Sequence, residues 1–185
     1  MSQGEVSSTG PGGVAATVAV WLAALAAAAN LIGLLVLGGS FVTDSGVYDN
    51  SLAVATVLGA ALLTGLFAYG ALRMYRRAEE GRVTVLLGAG AWLAFALLGL
   101  LASLSGYESD YGVRWSEPGG AAVDIAVATT GLPGVIDALV HGAWLPSALA
   151  CVLPLILVLA VNAPATARWF VPSPDFATGP ATPSR

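Results

Sequence analysis

The chain has no lysine, one cysteine and one histidine, and only a tenth of its 185 residues are charged. Each scarcity excludes something. Soluble domains carry roughly a quarter charged residues, so this supply cannot cover a water-facing surface. Cys151, being alone, excludes an internal disulfide and a CxxC redox pair. His141, also alone, excludes a haem held by two histidines of one chain and a histidine-rich metal site. The hydrolase GxSxG, the HExxH metal motif and the EF-hand loop are missing from the sequence. GAGAW lies within an apolar run and lacks the strand and lysine of a phosphate-binding loop. The expectation is a chain with no catalytic constellation and no cofactor. Seven cations against eleven acids, a net charge of −4, also argue against nucleic acid as a partner.

What is abundant is apolar length. Hydrophobic residues make up 57% of the chain, and mean hydropathy is +0.81. A bilayer core about 30 Å thick needs about 20 apolar residues in a helix. Windows of that size predict four spans, at 14–37, 52–74, 83–104 and 145–161, all without Asp, Glu or His. Lipid offers no partner to backbone polar groups, so helices are the expected form, and the Ala- and Leu-rich composition suits them. The reading is an all-α, four-helix integral membrane bundle over 14–163. Before it stands a disordered Gly/Ser-rich leader, 1–13. It lacks the basic residues of a signal peptide, and the run that follows is longer than a signal core. After it comes a disordered Pro/Ser/Thr-rich tail, 164–185.

Orientation comes from the arginines. LRMYRRAEEGRV, residues 72–83, holds four of the seven. Short cytoplasmic loops carry the excess of positive charge. Arg73, Arg76, Arg77 and Arg82 therefore predict a cytoplasmic connection between the second and third spans. Both termini then fall in the cytoplasm, and Arg168 with them. Seven of the eleven acids (Asp44, Asp49, Glu108, Asp110, Glu117, Asp124 and Asp137) fall outside. A multi-pass protein of the plasma membrane is expected, with membrane lipids as partners and a second membrane protein or another copy beside it. The same arginines attract anionic headgroups by about 1 kcal/mol each near the surface, while Glu79 can pair with Arg76 or Arg82.

Residues 105–144 form the outer loop. AAVDIAVATTGLPGVIDALVHGAW at 121–144 is apolar, but Asp124 and Asp137 would each cost about 2.5–3.5 kcal/mol near the centre of a span. Gly131 and Pro133 also interrupt it. One or two short amphipathic helical segments are expected instead, lying on the bilayer or capping the bundle. Val135, Ile136, Leu139 and Val140 recur at helical spacing, with Asp137 and His141 four apart on another face. That pair is a functional candidate as a proton acceptor or a pair of metal ligands, and reads more simply as a solvated helix pair.

Within the spans, Asn30, Thr56 and Thr64 are candidates for polar helix packing. Ala23 with Ala27, and Gly90 with Ala94, are spaced to let backbones approach. Pro154 predicts a bend in the fourth helix, Pro146 suits its first turn and Pro164 closes it. Trp144 and Trp169 mark the interfaces, and Cys151 is a small packing residue.

GALRMYRRAEEGRVTVLLGAGAWL at 70–93 and NAPATARWF at 162–170 resemble a layout of small four-span membrane proteins of actinobacteria. There, one helix ends in an arginine cluster, Gly-Arg opens the next, and the last span ends in a Pro…Arg-Trp segment. The resemblance covers about a third of the chain and implies location and architecture, not a reaction. Three readings of function follow: an accessory or scaffold component of a cell-envelope membrane assembly, a small transporter or channel acting as an oligomer, and an enzyme built on outer carboxylates and His141.

Overall fold

A computed structural model describes residues 11–43, 50–107 and 121–170. Among them the elements are α1 (Pro11–Thr43), α2 (Asn50–Tyr75), α3 (Glu79–Leu104), α4 (Ala121–Ala128), α5 (Leu132–Val140), α6 (Trp144–Ala150), α7 (Val152–Asn162) and α8 (Pro164–Trp169). No strand occurs among the described residues. Four helical stretches are long and apolar enough to cross a membrane: Gly13–Thr43, Ser51–Tyr75, Glu79–Leu104 and Trp144–Asn162. The molecule is a multi-pass, all-α membrane bundle. At one or both ends each stretch overruns its sequence-predicted span, by one to six residues, because a helix continues past the edge of its apolar window until something stops it.

The stops have separate causes. The end of α2 is closed by a 6→1 bond from Ala78 N–H to the Arg73 carbonyl (2.9 Å) and a second from Arg77 N–H to Met74 O (2.9 Å). This Schellman arrangement puts Arg77 in the left-handed region, at φ 60°. α3 and α5 end in the same way, with Gly106 and Gly142 in the equivalent place. α7 stops at Asn162 because Pro164 forces Ala163 into extended backbone (ψ 133°).

The fourth span is interrupted at Cys151, which separates α6 from α7. Pro154 has no N–H for the Ala150 carbonyl, and Cys151 N–H bonds three residues back, to Ala148 O, at 3.2 Å. Pro164 closes this span but also opens α8, where the sequence reading began a disordered tail. Its fixed φ suits a first helical turn, and buried Thr166 donates to Ala160 O at 2.8 Å, tying α8 back to α7. Residues 171–185, like leader residues 1–10, lie outside the described residues.

A regular stripe faces the interior of each span. In α1 it is Ala16, Ala19, Ala23, Ala26, Asn30, Gly33 and Leu37; in α2, Ala53, Thr56, Ala60, Leu63, Phe67, Gly70 and Met74. In α3 it is Gly81, Val85, Gly88, Trp92, Ala96 and Gly99. Steps of three and four residues keep one seam inward, as in left-handed bundles crossing at about 20°. The seam is marked by size, since lipid is as apolar as leucine and helix association depends on close packing. Trp21, Leu35, Leu58, Leu87, Leu98 and Leu159 point outward. Gly90 and Ala94, expected at an approach, also face outward, and nothing lies within 4 Å of Gly90. The close approach of α2 and α3 is at Gly70 and Gly81 instead. A methyl on Gly81 would lie 2.7 Å from the Gly70 carbonyl oxygen.

Candidate functional site

The segment between the third and fourth spans folds into the bundle. α4 and α5 form a helical hairpin, and α5 packs against α1, α2 and α3. Its register fixes its direction. Leu132, at the α5 N-terminus, meets Asn30 of α1 and the Gly59 position of α2. Val140, at its other end, packs with Leu37 and Ala53. At 1.5 Å per residue, Asn30 is about 20 Å along the axis from Thr43, and Gly59 about 14 Å from Asn50. The hairpin tip therefore penetrates between the spans by about half the thickness of a bilayer core. The amphipathic segments expected here are present, but α5 inserts where surface attachment or capping was expected. Asp124 is half-buried on α4, whereas α5 buries Leu132, Pro133, Gly134, Val135, Asp137, Ala138 and Val140.

Non-helical backbone at that depth is tolerable only where protein satisfies it, and Asn30 does so here. Its side chain is wholly buried. Oδ1 accepts from Leu132 N–H at 3.0 Å, and Nδ2 donates to Ala26 O at 2.9 Å. Asn30 thus caps α5 from another helix, replacing the N-cap side chain that Gly131 cannot supply. Gly131 is required twice: its φ is +76°, and a Cβ there would lie 2.6 Å from Asn30 Cγ. At Gly33 a methyl would overlap the Thr130 carbonyl oxygen. The other two polar candidates behave differently. Thr56 and Thr64 each turn their hydroxyl onto their own helix, to Leu52 O and Ala60 O at 2.7 Å.

Asp137 and His141 do come together. His141 Nδ1 is 3.4 Å from Asp137 Oδ1 and 2.9 Å from its backbone oxygen. The pair is not the solvated one expected from spacing, because Asp137 is only 4% exposed. Insertion of α5 places the carboxylate face inward, while His141, on the turn beyond the helix, keeps a third of its side chain accessible. Such a pair can hold or pass a proton. Among the described residues no group of three or more His, Cys, Asp or Glu could hold a metal.

Beside the hairpin lies a lateral crevice of about 750 Å³ between α1, α4 and the α6–α7 span. Leu25 and Ile32, Ile125, and Leu153 and Ile156 line it, with Trp92 among them. Trp92 is almost fully buried, tilted 52° against Phe67 at 5.8 Å, and its indole N–H meets no acceptor among the described residues. No periodicity marked this crevice, which is a gap left beside α4 where that helix packs on α5 and α6.

At the other end of the bundle the arginines separate by partner. Arg73 pairs with Glu80, and Arg82 Nη2 is 3.4 Å from Glu79. The Arg77 guanidinium lies 4.2 Å over the Trp169 ring, and Arg168 donates to Pro164 O at 3.2 Å. No ion pair is formed by Arg76 among the described residues. Comparison with protein-family models, with curated proteins and with solved structures finds no match.

Proposed function

We propose that the chain is an accessory or scaffold component of a cell-envelope membrane assembly. It lies in the plasma membrane, with the arginine turn and both termini in the cytoplasm. The orientation is supported by the concentration of arginine at the end holding the α2–α3 turn and α8. The likeness of 70–93 and 162–170 to small actinobacterial membrane proteins fits the same location.

The observation that carries the reading is the lateral crevice. It is apolar, opens sideways beside exposed Leu25, Ile32 and Ile156, and is walled by α1, α4 and the α6–α7 span with Trp92 of α3. Contiguous apolar surface with shape is how a membrane protein engages an apolar helix of a neighbour, another protein or a second copy. The test places a photo-crosslinking residue at Leu25 or Ile156 in native membranes, with one at outward-facing Leu87 as control. Discrete protein adducts from the crevice positions alone support the reading. Lipid-only labelling, or equal labelling from Leu87, refutes it.

A second reading, a small transporter or channel acting as an oligomer, is favoured by the inserted hairpin. Half-helices ending at membrane depth, beside buried carboxylates, are found at transport sites. Here the α5 N-terminus and Asp137 have that placement. Solute-loaded vesicles carrying the protein would show flux abolished by Asp137→Asn. Absence of flux across a panel of cations and organic acids sets this reading aside.

A further inference from the structure

At the arginine end, a groove of about 660 Å³ opens between the first turns of α1, the end of α2, and α8. That size is within the roughly 300–1,000 Å³ of small-molecule sites. Its long wall is apolar: Ala16, Val20 and Ala24 cover about 12 Å of helix. Trp21 and Trp169 contribute aromatic surface, and Arg77 is the one charged side chain among the described residues that line it.

Arg77 stands where the molecule elsewhere puts glycine. The left-handed closing position of α3 is Gly106 and that of α5 is Gly142, whereas α2 uses Arg77 at φ 60°. A side chain is disfavoured in that backbone conformation. Here it directs the guanidinium across the groove onto the face of Trp169, at 4.2 Å. Stacking occupies the face of the cation and leaves its in-plane N–H donors available. Arg73 and Arg82 have Glu80 and Glu79 as partners, but Arg77 has no carboxylate among the described residues. A planar cation at the end of a span, above a strip of small apolar residues, matches a phosphodiester carried on an acyl chain.

We infer that this groove binds one anionic phospholipid, with its phosphate on Arg77 and a chain along the α1 wall. The inference is independent of the lateral crevice, so either can fail alone.

The test uses the full-length protein purified from mixed micelles of dioleoyl phosphatidylglycerol and dioleoyl phosphatidylcholine, with retained lipid read by native mass spectrometry. Phosphatidylglycerol is expected to be retained about fivefold over phosphatidylcholine. Arg77→Gly relieves the backbone, so the fold is kept while the preference is lost. Arg76→Ala leaves the preference in place. Thr17→Trp, which fills the groove at an exposed position without touching a charge, lowers retention of both lipids. Equal retention of the two lipids, an unaltered Arg77→Gly variant, or an Arg76→Ala variant as impaired as Arg77→Gly would each overturn the site. So would displacement by millimolar inorganic phosphate or by an acidic peptide, which would make a free anion or a protein segment the occupant.

Discussion

The two ends of the bundle solve the same packing problem in opposite ways. At the arginine end, α2 and α3 close on each other through Gly70 and Gly81, with Phe67 and Trp92 filling the layer above. At the opposite end α5 packs against α1, α2 and α3. The first arrangement needs only small residues at the right spacing. The second also needs a buried amide, Asn30, and glycines at Gly33, Gly131 and Gly134, because a helix end now lies where water cannot reach. The buried amide of Asn30 therefore stands where a backbone end must be satisfied, whereas Thr56 and Thr64 bond only within their own helix.

The sharpest way to break that contrast is Gly33→Ala. Its methyl meets the Thr130 carbonyl, which is backbone and cannot swing aside, so a loss of about 3 kcal/mol is expected in detergent unfolding. Gly90→Ala, on the same kind of helix but facing open space, should be neutral or slightly stabilising. Equal effects would mean the hairpin does not press on α1. Next in size is Asn30→Ala, which removes the cap of α5 and should cost about 1–2 kcal/mol. A cysteine introduced at Ile136 should then label faster with a maleimide. Unchanged labelling would show that Asn30 does not hold the hairpin.

Trp92→Phe tests the closed end from the other direction. The ring contact with Phe67 is kept and an N–H without an acceptor among the described residues is removed, so stability should hold or rise by up to about 1 kcal/mol. A marked loss would mean that the indole N–H has a partner. The smallest effect belongs to Glu79→Gln. Glu79 is well exposed and its link to Arg82 is long, so melting temperature should stay within replicate scatter.

Much of this fold is legible in the sequence because lipid acts as a severe solvent. Apolar windows of the right length separated by turns leave few alternatives to a four-span bundle. Asn30 stands out as the most polar side chain of its span. Its part in helix packing was legible, but its partner was not, since Leu132 N–H lies 102 residues away. Asp137 misled by its neighbourhood. Asp137 and His141 four apart on an amphipathic helix look like a solvated pair, and only the insertion of α5 between three spans buries the carboxylate. The inward seams were hidden for a related reason: with every face apolar, hydrophobicity carries no contrast, and residue size becomes the signal. The lateral crevice left no trace, because it is a gap between elements.

The sequence alone determined the class of the molecule, the number of spans and the places where helices break, since those depend on local cost: burying charge, losing a proline N–H, continuing an apolar run. Tertiary structure decided which face of each span turns inward, that α5 enters the bundle, and that Arg77 reaches Trp169 across a groove. Those choices depend on which distant backbone groups and side chains are left to satisfy one another, and no stretch of chain records them by itself.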